Sequence, residues 1–161
     1  MSNIQSILAI GAIFLLSLAS LSFNGALLQA NSVEIENKVY LTAFSLADDM
    51  IEEIKQKAYD ENTLVFPTVN RATLTPTASL GPESGEAYPY FDDIDDYNGY
   101  SRNADAPHAE SYHIAVKVYY VTESDPNTTS SSQTFNKRVD VTVSSPYLNH
   151  DAILSMVFTH K

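Results

Sequence analysis

A chain of 161 residues has room for one domain, and with its apolar N-terminus set aside about 130 residues remain for one modest core. It has no cysteine, which removes a disulfide framework, a thiolate metal site and a cysteine nucleophile. The formal net charge is −11 and every charged side chain lies after position 33, which argues against nucleic acid as a partner because phosphate neutralisation needs a basic footprint. An acidic surface suits an exposed domain that must stay soluble.

The first third sets the organisation. Ile7 to Phe23 reads ILAIGAIFLLSLASLSF, with serine as its sole polar residue type, and the apolar run resumes after Asn24-Gly25 with Ala26, Leu27 and Leu28. About 20 apolar residues span the hydrocarbon core of a bilayer. A cleaved signal peptide would want a basic n-region and a small-residue cleavage site, and no Lys or Arg precedes the run. That leaves a simple membrane anchor, or a helix that sits in the membrane first and later packs into a filament core. Flanking charges do not orient it, since the near side has none and the far side mixes Glu34, Glu36 and Lys38. Gly costs about 1 kcal/mol against Ala inside a helix, so Asn24-Gly25 is the expected kink or melted segment.

From Val33 to Ala58 the pattern is amphipathic. Val33, Tyr40, Phe44, Ala47, Met50, Ile51, Ile54 and Ala58 recur at helical steps, with Asp48, Asp49, Glu52, Glu53, Lys55 and Lys57 between them. No proline occurs before Pro67. A single helix over residues 7 to 58 would run roughly 78 Å at 1.5 Å per residue. Residues 60 to 110 hold Pro67, Pro76, Pro82, Pro89 and Pro107 with Gly81, Gly85 and Gly99, so long regular elements are not expected there beyond a short strand near Thr63 to Phe66 or Ala72 to Leu74. A connection this long is often functional or an interaction surface.

The last third alternates with period two. Ile114, Val116, Val118 and Tyr120 oppose His113, Lys117 and Tyr119; Phe135, Lys137, Val139, Val141 and Val143 alternate with Arg138, Asp140 and Thr142; Leu154, Met156 and Phe158 alternate with Ser155, Val157 and Thr159. Short polar connections at 124–134 and 146–151 favour antiparallel neighbours. The expected fold class is therefore α+β. Residues 1–32 form an apolar, protruding helix for a membrane or a filament core. Residues 33–161 form a globular domain: amphipathic helix 33–59, irregular acidic loop 60–111, and a three- to four-stranded antiparallel sheet over 112–160 covered by the helix.

This layout resembles the type IV pilin and pseudopilin superfamily. The wording of Ser45–Tyr59, SLADDMIEEIKQKAY, and of Phe91–Tyr100, FDDIDDYNGY, is similar to bacterial minor-pilin-like proteins. The resemblance implies a pilin-like structural subunit of an extracellular type IV pilus-like filament, inserted in the inner membrane before assembly and homo-oligomeric afterwards, with no catalytic residue and no cofactor. It implies a filament core of Ile7, Ile10, Ile13, Phe14, Leu15, Leu18 and Phe23, and local melting at Asn24 and Gly25 on assembly. Family precursors carry a short basic leader ending in glycine. No leader precedes the run here, so either Met1 is a mature end or the chain is not processed in that way. The family usually places glutamate at the fifth mature residue, where it neutralises a neighbouring amino group. Met1 and Gln5 would form that N-terminal contact here, and Gln5 can hydrogen-bond but not neutralise. The alternative is a membrane-anchored pseudopilin, minor pilin or surface-binding domain outside the main filament.

Other constellations are weaker. Asp92, Asp93, Asp95 and Asp96 with Asn98 make an oxygen cluster of the kind Ca²⁺ favours, although setting Gly99 at the glycine of an EF-hand puts Ile94 where its first aspartate belongs. The plainer reading is an acidic turn capping its own backbone. His108, Glu110 and His113 lack metalloprotease spacing. Asn127-Thr128-Thr129 is a glycosylation sequon in an exposed loop. Tyr88, Tyr90, Tyr97 and Tyr100 suit either subunit contacts or anchoring of the loop on the sheet.

Overall fold

The structure, a computed structural model, describes residues 3–64, 68–107 and 109–160. The expected α+β layout is found, with one long N-terminal helix and a four-stranded antiparallel sheet, consistent with a pilin-like fold. Contacts divide the chain into two compact units, Met1–Lys38 and Val39–Lys161, a later break than the one expected at 32/33.

Helix α1 runs Asn3–Ile54 without interruption. Asn24 and Gly25 are helical, so no melted segment is present there in the single chain. The helix also stops before residue 59. The amides of Gln56 and Lys57 turn back only three residues, and the backbone of Ala58 is captured by the loop, its N–H donating to the Asp92 carbonyl at 3.0 Å and its carbonyl accepting from Ile94 N–H at 3.0 Å. A residue bonded in that way cannot continue a helical ladder.

In the second unit the buried stripe of α1 is Val39, Ala43, Ala47, Met50, Ile51 and Ile54. Tyr40 and Phe44, placed on that stripe by periodicity, are 45% and 43% exposed. The stripe agrees with the expected one at Ala47, Met50, Ile51 and Ile54 and differs before them, where Val39 and Ala43 are buried and the rings of Tyr40 and Phe44 stay outside. The sheet is a meander in order β1-β2-β3-β4: β1 Ser101–Ala106, β2 Ala109–Tyr120, β3 Asn136–Ser144 and β4 Ala152–Thr159. Its buried face carries Tyr112, Ile114, Val116, Val118 and Tyr120 from β2 and Val139, Val141 and Val143 from β3. The alternation predicted for β2, β3 and β4 is met. β1 lies inside the segment expected to be irregular. Its sequence SRNADA has almost no apolar alternation, and it is an edge strand whose register shifts between Ala104 and Ala106. Asp105 accepts the amide of Ser111, which holds the one positive φ (64°) among non-glycine residues described.

The rest of the connection is built from single turns, including 3₁₀ turns at Glu61–Thr63 and Arg71–Thr73 where a short strand was an expectation. Val65 to Pro67 lie outside the described residues. Phe91, Tyr97 and Tyr100 pack edge-on, Tyr88 stacks on Tyr100 at 4.9 Å, and Tyr97 donates its hydroxyl to Glu53 of α1 at 2.8 Å. Three of the four tyrosines thus anchor the loop. Tyr90 is 82% exposed.

Candidate functional site

Two features of the chain carry chemistry: an uncovered apolar helix and a buried charged node. The helix comes first in sequence. From Asn3 to Ile35 every residue is exposed. The expected core residues Ile7, Ile10, Ile13, Phe14, Leu15 and Phe23 are each 63–68% exposed, and Leu18 is 46% exposed. Exposed apolar surface of this extent marks a partner or a membrane. The helix is long and apolar enough to cross a membrane, and so is a candidate membrane anchor. A Cβ added at Gly11 or Gly25 would meet nothing within 4 Å. Neither glycine is therefore required by packing within the chain. Gln5 is exposed on the same helix, and Met1 lies outside the described residues.

The node forms where α1 ends. Lys137 stands in the core-facing row of β3, in line with Val139, Val141 and Val143, and is 0% exposed. A lysine in a row of buried valines must bring its counter-charges with it. Its Nζ lies 2.8 Å from Asp60 Oδ2, 2.5 Å from Asp95 Oδ1 and 2.8 Å from the Tyr59 carbonyl, to which it donates. The rings of Tyr59 and Tyr120 lie 4.5 and 5.2 Å from the ammonium.

Asp60 is the hub of the node. It caps the 3₁₀ turn at Glu61–Thr63, accepts the amide and hydroxyl of Thr75, and accepts the Tyr120 hydroxyl at 3.2 Å. Burial pushes its carboxyl up, but the Lys137 charge, the hydrogen bond from Lys137 and the amides of Thr75 and Asn62 outweigh burial and hold it below the usual carboxylate range. One ion network thereby ties the end of α1, the 60–75 turns, the Asp95 turn and two strands. Asp60 and Thr75 did not emerge from sequence reasoning. Lys137 carried a signal, a lone cation on an apolar alternation.

The acidic quartet does not converge on one ion. Asp92 is exposed. Asp93 Oδ1 accepts the amides of Asp95 and Asp96, while Asp96 Oδ2 accepts the amides of Asp92 and Asp93. The two side chains cap the turn reciprocally, and Asp95 faces Lys137. Asp96 instead approaches Glu83 and Glu86, and the three offer ligand oxygens within 4.8 Å of one another. Burial first, then the neighbouring Glu86 carboxyl, pushes the Glu83 carboxyl up to about 7.

Burial, then the charges of Asp95 and Asp96, push the Asp93 carboxyl up to about 8; burial, partly offset by Lys137, pushes Asp95 up to about 6. The folded state therefore keeps protons that the unfolded chain releases above its ordinary value of 3.8. The contribution of these two groups is greatest below that value and is lost as pH rises through 6 to 8. Asp60 acts oppositely, losing its contribution as pH falls below 3.8. In metal-free buffer the melting temperature is expected to fall between pH 5 and 8.5, with a slope of at most about 1.4 kcal/mol per pH unit for each proton held. Asp93→Asn, which keeps an acceptor for the two amides, is expected to flatten the slope above pH 6. A wild-type melting temperature that rises across this range would contradict the assignment.

Asn127 is exposed, and its side-chain oxygen accepts from Arg138 at 2.8 Å. The loop around it is built rather than loose, with Thr129 bridged to Val121. His113 pairs with Asn103 at 2.9 Å, and His108 lies outside the described residues. No protein-family model matches this sequence, and comparison with curated proteins and with solved structures gives no match.

Proposed function

We propose that this chain is a structural subunit of an extracellular type IV pilus-like filament, held in the inner membrane by α1 before assembly and packed through the same helix afterwards. The carrying observation is the uncharged, uniformly exposed stretch of α1 from Asn3 to Val33, continuous with a stripe that is buried on the sheet from Val39 onward. One helix thus meets two surroundings. In a bilayer its apolar side chains face lipid. In a bundle of copies they face each other, and the positions of Gly11 and Ala12 permit close approach. The resemblance of Ser45–Tyr59 and Phe91–Tyr100 to minor-pilin-like wording supports the same reading. Assembly of this kind needs neither catalysis nor a cofactor, and nucleic acid plays no part in it.

The minor-pilin-like wording of Ser45–Tyr59 and Phe91–Tyr100 favours a second reading, in which the chain is a minor or tip subunit, or an anchored surface-binding domain. Copy-to-copy contact is read out by cysteine cross-linking, since the chain has no cysteine of its own. Single cysteines at Ile10, Phe14 and Leu21 are expected to give oxidised ladders of several copies. The same variants remaining monomeric at every position, while the protein stays in the membrane, would favour the anchored domain.

A further inference from the structure

We propose that Glu83, Glu86 and Asp96 bind a Ca²⁺ ion that fastens the 81–86 loop onto the Asp92–Tyr97 turn. This site is independent of filament assembly and differs from the aspartate quartet, with which it shares only Asp96.

The argument starts at Asp96. Its side chain is 1% exposed, and its Oδ2 is used by the amides of Asp92 and Asp93. Its Oδ1 is buried with no hydrogen-bond partner among the described residues. A buried carboxylate oxygen without a donor is costly, so a cation or an ordered donor is wanted there. What approaches instead is two more carboxylates. Glu83 and Glu86 sit on a tight turn closed in both directions: Glu86 N–H donates to the Glu83 carbonyl at 3.0 Å, and Glu83 N–H donates to Glu86 Oε2 at 3.4 Å. The turn is held near the sheet because Asn98 donates its side-chain amide to the Leu80 carbonyl at 3.0 Å while accepting Val118 N–H at 3.1 Å.

All three carboxylates place an oxygen within 4.8 Å of the others. Ca²⁺ holds its oxygen ligands at about 2.3–2.6 Å, so two ligands of one ion lie no more than about 5 Å apart. None of the ion pairs among the described residues reaches Glu83, Glu86 or Asp96, and Lys137 is committed to Asp60 and Asp95. Three carboxylates in this space repel unless a cation or a shared proton sits between them, and Ca²⁺ displaces the proton that the raised Glu83 carboxyl holds. Hard oxygen ligands exclude soft metals, and an irregular loop suits the flexible coordination of Ca²⁺ better than the strict octahedron of Mg²⁺. A cleft of about 500 Å³ beside Pro82, Glu86, Asp96 and Tyr100 leaves room for the water ligands that complete the shell.

The test uses the full chain in non-ionic detergent, stripped with EDTA. Adding CaCl₂ up to about 5 mM is expected to raise the melting temperature saturably, with a midpoint of about 10⁻⁴–10⁻³ M and one ion per chain by calorimetry. Glu83→Gln with Glu86→Gln, changes at positions outside the core, is expected to abolish the shift. Asp48→Asn with Asp49→Asn, exposed acids elsewhere, is expected to retain it. No shift in the wild type, an undiminished shift in the double glutamine variant, or an equal shift with MgCl₂ would overturn the proposal.

Discussion

Ile13→Asp is expected to abolish filament assembly while leaving the folded domain unchanged. Ile13 is 65% exposed within the chain, so the substitution removes little packing of its own. Its cost appears only where the helix meets lipid or other helices. A central aspartate in a membrane helix is unfavourable by about 2.5–3.5 kcal/mol on insertion scales, or roughly a hundredfold. In a bundle the penalty recurs in every copy, because each brings an unpaired charge into an apolar core. The same melting temperature as wild type, with no filaments in the sheared fraction, is the expected outcome. Ile13→Leu keeps the volume and the apolar surface and is expected to assemble normally. Normal filaments from Ile13→Asp would refute the placement of this face in the core.

Lys137→Met is expected to destabilise the domain by about 3–5 kcal/mol, because it leaves two buried carboxylates without their cation. Asp60 would keep its amide donors, whereas Asp95 would lose its only ion-pair partner among the described residues. Set against a total stability of about 5–15 kcal/mol, this approaches loss of the fold. The methionine fills a similar volume, so the effect measures charge rather than a cavity. Adding Asp60→Asn and Asp95→Asn to Lys137→Met is expected to recover part of the loss, since replacing a whole buried network costs less than breaking one side of it. Urea unfolding followed by circular dichroism gives the comparison. A single-variant loss below about 1 kcal/mol would mean that the node is not carrying the junction.

The same two regions show what sequence patterns can and cannot reveal. The period of the last third located β2, β3 and β4, because each turns one face to the core and alternation follows from the pleat. β1 was hidden because SRNADA sits at an edge and buries little. The buried stripe of α1 was legible from Ala47 to Ile54 but not before it, since the large rings of Tyr40 and Phe44 also recur at helical steps whereas Val39 and Ala43 are the buried pair. The end of α1 depended on Ala58 bonding to Asp92 and Ile94, a pairing across the whole acidic loop. At the node, Lys137 was visible as a charge in a valine row, but its partners Asp60 and Asp95 come from distant turns. Composition showed that the quartet was dense in oxygen. It could not show that Asp93 and Asp96 use those oxygens on local amides, or that Asp96 faces Glu83 and Glu86 instead.

The uncovered stretch of α1 remains the centre of the functional reading, and it is tested most directly by electron microscopy of sheared surface material, with this chain identified by immunogold labelling. The expected result is thin filaments decorated along their length or, for a minor subunit, at their tips. The chain found solely as a detergent-soluble monomer in the membrane fraction, with no label on any filament, would contradict it.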